Sequence, residues 1–182
     1  MIAAPELLGR PVVPFDEIER AYPPDNHRML IAIGFVKTNR LRADRYQQAR
    51  AKGYALITYI SPRATVEPDM TIGDNCLIGN NTVIQPSVTI GADVLVRDNI
   101  FIGHGSTIGD HCYIGSGAVI LGRATVGPYT LIGANATIKD GLTVGNANAI
   151  GAGVTLLTDT GDKEVYMAPT PQRLPLSTDQ LD

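Results

Sequence analysis

The chain has 182 residues, enough for one domain that buries its own hydrophobic core. Its net charge of −3, with 44% hydrophobic and 18% charged residues, excludes a basic nucleic-acid-binding protein and a membrane-surface protein. We therefore expect no nucleic-acid partner and no membrane partner. The sequence lacks the signal-peptide pattern of a basic segment followed by an apolar run. It also lacks an apolar run of about 18 residues, the length that spans a bilayer. We expect a cytoplasmic protein.

Residues 1–60 are charged and interrupted by prolines. PFDEIERAY (14–22) predicts a short helix, and MLIAIG (29–34) predicts a buried strand. TNRLRADRYQQARAKG (38–53) predicts a helix that ends at Gly53, and YALITYI (54–60) predicts a second strand. No glycine-rich phosphate loop follows a first strand. We interpret residues 1–60 as a small α/β domain, a truncated Rossmann-like fragment.

From Ile60 to Leu156 every sixth residue is aliphatic, without exception. Glycine follows that residue in 10 of the 14 hexads that begin at Ile72 through Ile150, and Asn, Asp or Gly often stands third after it. A helix face needs spacings of three and four, and a sandwich would show irregular alternation. Each hexad therefore predicts a short strand and a corner that needs a positive φ.

We predict a mainly β fold in which residues 61–158 form a left-handed parallel β-helix of about five coils, with three hexads in each coil. The aliphatic residue and a small residue at the fourth position after it point inward. The polar, proline-containing segment 159–182 is predicted to be an irregular C-terminal tail. It cannot continue the coil, and we expect it to fold back along a face or to reach a neighbouring subunit.

The two cysteines occupy the inward small position, two coils apart. Two coils separate Cys76 from Cys112 by roughly 9.6 Å at the usual strand spacing, beyond the disulfide limit of about 7 Å between Cα atoms. A thiol in an apolar interior is also a poor nucleophile. We interpret both cysteines, and Ser106 in the same position, as packing residues.

The three histidines are too scattered for a zinc site. His104 and His111 fall on successive corners, and His27 lies outside the repeats. Zinc sites need three or four converging ligands, so we expect no metal. We interpret His111 as a solvated corner residue and His104 as pointing out of the prism.

The run IGHGSTIGDHCYIGSGAVILG (102–122), together with IAIG (31–34), a basic helix and YISPRATV (59–66), resembles the bacterial sugar acyltransferases of the sialic acid O-acetyltransferase and nucleotide-aminosugar N-acetyltransferase family. The resemblance covers residues 11–170. It implies a homotrimer with active sites between subunits, acetyl-CoA as cosubstrate and a small-molecule sugar acceptor that we expect to be nucleotide-linked. Complete family members begin with a further strand and a glycine-rich loop, so residues 1–60 would be a shortened acceptor-side domain.

The resemblance also implies roles for individual residues. His104 matches the histidine that takes a proton from the sugar amine or hydroxyl, a task suited to an imidazole near neutral pH. Tyr113 stands where some members have a histidine that contacts the acetyl group. The remaining matches are Gly122, Ala134 and Ala152 along the CoA, and Gly34, Thr38 and Asn39 on the acceptor side. Gly105 replaces the carboxylate that often orients the histidine, so Asp98 or Asp110, one of them from a neighbouring subunit, is the candidate for that role.

Three hypotheses follow for the function. The first is acyl transfer, with acetyl as the expected group, from CoA to an amino or hydroxyl group of a sugar. The second is a non-catalytic β-helix used for assembly or binding, consistent with Gly105 and the absent glycine loop. The third, disfavoured by the ligand count, is a zinc-dependent hydratase.

Overall fold

The computed structural model describes residues 6–173 and residue 175. The N-terminal elements in chain order are strands β1 (Glu6–Leu7) and β2 (Arg10–Pro11), a 3-10 turn (Phe15–Glu17), helix α1 (Ile18–Ala21), strand β3 (Arg28–Met29), helix α2 (Arg40–Ala51) and strand β4 (Ala55–Leu56). β3 and β4 pair in parallel across α2, so the predicted βαβ fragment is present. Both strands are much shorter than predicted.

Helix α2 begins later than predicted, at Arg40. Lys37, Thr38 and Asn39 have φ values of 53°, 50° and 67°, a left-handed run that an α-helix cannot include. The helix ends before Gly53, whose φ of 88° suits glycine at a helix C-terminus. Its buried face repeats at helical spacing and contains Arg42, Ala43, Tyr46 and Ala49.

Seventeen short strands follow, one in each hexad. They are β5 (Tyr59–Ile60), β6 (Thr65–Val66), β7 (Thr71–Ile72), β8 (Leu77–Ile78), β9 (Val83–Ile84), β10 (Thr89–Ile90), β11 (Leu95–Val96), β12 (Phe101–Ile102), β13 (Thr107–Ile108), β14 (Tyr113–Ile114), β15 (Val119–Ile120), β16 (Thr125–Val126), β17 (Leu131–Ile132), β18 (Thr137–Ile138), β19 (Thr143–Val144), β20 (Ala149–Ile150) and β21 (Thr155–Leu156). A last strand, β22 (Val165–Tyr166), comes after an interruption.

Every strand from β5 to β18 pairs in parallel with the strand one coil further on. Three sheets result. The first contains β5, β8, β11, β14, β17, β20 and β22, the second β6, β9, β12, β15, β18 and β21, and the third β7, β10, β13, β16 and β19. The parallel β-helix predicted from the repeats is thus confirmed. It has about six turns rather than five, and its left-handed sense stays a prediction.

The core is a column of aliphatic and small side chains inside the prism. The second residue of each strand from Ile78 to Leu156 is at most 4% exposed. The small residue that stands fourth after this aliphatic residue is also buried; Cys76, Ala118 and Ala136 are each 0% exposed. The predicted inward and outward assignment is therefore confirmed, including the packing role of both cysteines and of Ser106.

The corners adopt the predicted backbone. From Asn75 to Gly153 every sixth residue has a positive φ. Asn, Asp or Gly occupies most of these positions, where such a φ costs least. Five corners use other residues: Ser87, His111, Arg123, Tyr129 and Ala147.

The segment after β21 corrects one prediction. Val165–Tyr166 pairs in parallel with Ala149–Ile150, so the tail does continue the first sheet by one strand. The interval from β20 to β22 is shorter than a full coil, which puts the last strand out of phase with the six-residue count. The predicted tail residues 174 and 176–182 lie outside the described residues. Among the described residues, no helix is long and apolar enough to cross a bilayer.

Candidate active site

The prism has three corners, and their residues define the site. The His104 corner joins the second sheet to the third and contains residues 85–88, 103–106 and 121–124. The His111 corner joins the third sheet to the first and contains residues 73–76, 91–94, 109–112 and 127–130. The alanine corner joins the first sheet to the second and contains residues 97–100, 115–118, 133–136 and 151–154.

At the His104 corner, the backbone of His104 is fixed by hydrogen bonds to both neighbouring coils. Its N–H donates to Oε1 of Gln85 at 3.0 Å, and its carbonyl accepts from the N–H of Arg123 at 2.8 Å. Its side chain is exposed. Within the described residues of this one chain, neither ring nitrogen makes a hydrogen bond, so both nitrogens are accessible to a ligand.

The imidazole of His104 rests on Gly122, one coil further on. A Cβ atom built on Gly122 would lie 2.6 Å from Cε1, 2.9 Å from Nδ1 and 3.0 Å from Nε2 of His104. Both nitrogens are almost as near as Cε1, which means that this position lies over the face of the ring. The structure therefore brings His104 and Gly122 together at one corner, and the role of each in a site stays a prediction.

Tyr113 stands on the outer side of the first sheet, in strand β14. Its ring packs edge-on against Phe35, with ring centroids 5.0 Å apart. A groove of about 350 Å³ opens beside the two rings. Its lining consists of Phe35, Tyr113, Gly115, Ser116, Leu131, Gly133, Ala134 and Ala152. Tyr113 thus shares one groove with the two predicted CoA-side alanines.

Within one chain the structure does not bring His104 and Tyr113 together. His104 lies at the corner between the second and third sheets, whereas Tyr113 lies on the first sheet, on the opposite side of the prism. Asp98 is also remote from His104, because it belongs to the alanine corner, and its carboxylate accepts the N–H of Asn80 at 2.7 Å. Asp110 accepts the N–H of Ala92 at the His111 corner.

The acceptor-side residues form the loop between β3 and α2. The carbonyl of Gly34 accepts from Arg42 at 3.4 Å, and Thr38 is exposed. Asn39 is 0% exposed, and its amide donates to the carbonyls of Tyr129 and Thr130. The buried side chain of Asn39 therefore holds the loop to the β-helix, and the acceptor-side role of Asn39 stays a prediction.

The sequence analysis missed a buried polar cluster at the His111 corner. Arg42, which is 0% exposed, donates through Nε to Oδ1 of Asp93 at 3.1 Å. It also donates to the carbonyls of His111 at 2.8 Å and Cys112 at 3.0 Å. Burial lowers the pKa of the Arg42 guanidinium from its ordinary value, and Asp93 acts in the opposite direction. Helix α2 is fastened to the β-helix by this cluster.

His111 belongs to the same cluster, so its interpretation as a solvated residue is wrong. It is 6% exposed, and its Nδ1 lies 2.8 Å from Oδ2 of Asp93. Its ring packs on Tyr129 at 4.7 Å and on Tyr46 at 5.5 Å between centroids. The signal for this cluster was available: Asn75, Asp93, His111 and Tyr129 follow one another at intervals of one coil and so stack in one column.

The cysteines are free and buried. Burial raises the pKa of each thiol to about 12. Such thiols stay protonated near neutral pH and are poor nucleophiles. Among the described residues, no group of three or more His, Cys, Asp or Glu side chains is placed to hold a metal ion.

Sequence models of hexapeptide repeats match most of the prism. The bacterial transferase hexapeptide model, with six repeats, matches residues 87–122, and the hexapeptide repeat of succinyl-transferase matches residues 123–158. None of the curated proteins matches the chain.

Several solved structures are similar over most of the chain. A variant of perosamine N-acetyltransferase from Caulobacter crescentus, in complex with CoA and GDP-perosamine, is 26% identical with a TM-score of 0.83, covering 90% of this chain and 78% of its own. The acetyltransferase domain of PglB from Neisseria gonorrhoeae is 27% identical with a TM-score of 0.78, covering 84% and 74%. WeeI from Acinetobacter baumannii, at 21% identity and a TM-score of 0.80, covering 88% and 76%, shares the fold.

The unbroken six-residue period, the outward imidazole on its glycine and these matches agree with one another. The repeat models and the similar structures thus support a hexapeptide-repeat acyltransferase.

Proposed function

We propose that the protein transfers an acyl group, with acetyl as the expected group, from CoA to an amino or hydroxyl group of a nucleotide-linked sugar. His104 acts as the general base. The observation that carries this proposal is the outward, side-chain-unbonded imidazole of His104, fixed through its backbone to two coils. The perosamine N-acetyltransferase structures, which contain CoA and GDP-perosamine, support the choice of donor and acceptor.

In the proposed reaction His104 accepts a proton from the acceptor while the acceptor's nitrogen or oxygen attacks the thioester carbonyl. A bond forms from that atom to the acyl carbon, the carbon–sulfur bond breaks, and CoA leaves as the thiol after it receives a proton. A base near neutral pKa suits this task. Much of the remaining rate comes from holding the two substrates together.

The reaction requires both halves of the site, and they face different directions within one chain. We therefore place the site between subunits of a homotrimer, with the His104 corner of one copy facing the Tyr113 groove of another. Tyr113 would then donate a hydrogen bond to the carbonyl oxygen as negative charge develops there. Gly34 and Thr38 would lie on the acceptor side.

The outward residues of the three sheets support an interface on two of them. The third sheet presents only exposed threonines, namely Thr71, Thr89, Thr107, Thr125 and Thr143. The first sheet presents larger and more apolar residues, among them Tyr59, Leu77, Tyr113 and Leu131. The second presents Val83, Phe101 and Val119 in its middle and Thr65, Thr137 and Thr155 towards its ends. Two different apolar faces on one chain favour a closed ring of copies, in which one face meets the other.

The test is the substitution His104→Ala. We expect a loss of acyl transfer by about 10² or more, the scale for removing a general base, with acetyl-CoA binding retained in calorimetric titration. His27→Ala is the matched control, because His27 is exposed, lies outside the β-helix and makes a local hydrogen bond with the carbonyl of Pro23. Unchanged turnover in His104→Ala would exclude His104 as the base. Absence of any acetyl-CoA binding to the wild-type protein would favour a non-catalytic binding or assembly role.

A further inference from the structure

We propose that Gly122 is a positioning residue for His104: the imidazole keeps its orientation because it lies against a residue that has no side chain. The inference rests on the proposed role of His104 as the base. It assigns to Gly122 a steric task, in addition to the contact with CoA that the family resemblance implies for its backbone.

The first step is the close fit between ring and glycine. A Cβ at position 122 would lie 2.6 Å from Cε1 and 2.9 Å from Nδ1 of His104, separations that real Cβ atoms essentially never show. The ring therefore occupies the space that any larger residue would need. The imidazole cannot keep its present place unless position 122 is glycine.

The second step is that backbone geometry does not explain this glycine. Gly122 is absent from the positive-φ residues, so an L-residue can adopt its conformation without strain. In hexads at the other two corners the equivalent position is occupied by alanine, at Ala92, Ala134 and Ala152. Space for the His104 ring is the requirement that sets position 122 apart from these.

The third step is that the rest of His104 is already fixed. Gln85 and Arg123 hold its backbone from the coils before and after it. Gly103 allows the two coils to approach, because a Cβ there would lie 2.5 Å from the nitrogen of Gly122. With the backbone held, the ring can move only about its side-chain torsions, and Gly122 limits them from one side.

The fourth step concerns the missing carboxylate. Gly105 follows His104, and the carboxylates of Asp98 and Asp110 each accept a backbone N–H at another corner. Among the described residues of the chain, no carboxylate accepts a hydrogen bond from the His104 ring. Contact with Gly122 is the orienting feature that the described residues of the chain supply.

The test compares Gly122→Ala with Asp140→Ala. Asp140 occupies the same corner position one coil further on, with its side chain partly exposed and paired with Arg123. A crystal structure of Gly122→Ala should show the imidazole displaced from its place. Its kcat should fall on the order of 10², the scale for misplacing a catalytic group by about 1 Å, with little change in acetyl-CoA binding. Asp140→Ala should keep both the ring position and the activity.

The double substitution His104→Ala/Gly122→Ala separates this role from a direct contact with CoA. If Gly122 acts through His104, adding Gly122→Ala to His104→Ala should cost nothing more. A full additional loss, or a large weakening of acetyl-CoA binding in Gly122→Ala alone, would overturn the inference. An unmoved ring in the Gly122→Ala crystal structure would also overturn it. Failure of His104 as the base would instead appear as an active His104→Ala protein.

Discussion

His104 and His111 lie on neighbouring corners of one regular prism, and their surroundings differ in almost every respect. His104 is exposed and rests on a glycine, with no hydrogen bond to its ring from the described part of the chain. His111 is 6% exposed, with its Nδ1 at Asp93 and its ring between two tyrosines. The repeat places both side chains outward, and the difference comes from helix α2, which covers only the His111 corner.

In one regular β-helix, the His111 corner stabilises the fold, whereas the His104 corner leaves its side chain available for the proposed chemistry. At the His111 corner, which α2 covers, every buried side-chain nitrogen and oxygen among the described residues has a hydrogen-bond partner. Its polar groups therefore stabilise the fold. At the His104 corner, the imidazole is held by its contact with Gly122 and by the hydrogen bonds of its backbone. The proposed base must stay available to a ligand, and of these two corners the His104 corner leaves its imidazole without a hydrogen-bond partner among the described residues.

The largest effect on stability is expected from Arg42→Ala. The substitution removes the cation that faces Asp93 and leaves that carboxylate buried with one fewer partner. Removing one member of a buried ion pair costs about 3–5 kcal/mol of unfolding free energy. Chemical denaturation followed by circular dichroism would measure it.

The matched control is Arg50→Ala, on the exposed side of the same helix, where the guanidinium donates to the hydroxyl of Tyr46. That change should leave the unfolding free energy nearly unchanged, as is usual for substitutions at the surface. Equal losses of stability in the two variants would mean that α2 is not fastened through Arg42.

A smaller loss is expected from His111→Gly. Glycine suits the φ of 60° at this position, so the change removes the ring without straining the backbone. It leaves Oδ2 of Asp93 without the imidazole partner, a loss of about 1–3 kcal/mol for a buried acceptor. Thermal unfolding would detect it. Arg123→Gly is the control, since Arg123 has a φ of 55° and an exposed side chain, and its replacement should leave the unfolding free energy nearly unchanged.

The regular part of the fold was open to prediction because one spacing determines it. The six-residue period determines the strands, the inward residues and the positive-φ corners, since each repeat makes the same contacts with the next. The position of β22 was missed because the interval before it is shorter than a full coil. The burial of Asn39 and His111 was missed because it depends on where α2 docks, a contact between residues 51 to 91 positions apart in sequence.

Only part of the site was predictable, because the repeat determines contacts between successive coils but not contacts between other parts of the molecule. Gly122 lies one full coil after His104, so the repeat itself stacks them. Tyr113 and His104 share no such relation, and the prism separates them. The resemblance implies active sites between subunits, and a single chain does not contain such an interface.

The smallest effect on stability is expected from His104→Ala, the substitution with the largest expected effect on activity. The ring is exposed, and its removal leaves no buried donor or acceptor among the described residues without a partner. Its unfolding free energy should therefore change by no more than about 0.5 kcal/mol, and the hydrogen bonds of its backbone to Gln85 and Arg123 remain possible. Denaturant titration of His104→Ala beside His111→Gly measures both corners on one scale. If His104→Ala proved less stable than His111→Gly, the His104 corner would contribute to the stability of the fold. The loss of activity in His104→Ala could then no longer be assigned to the missing base.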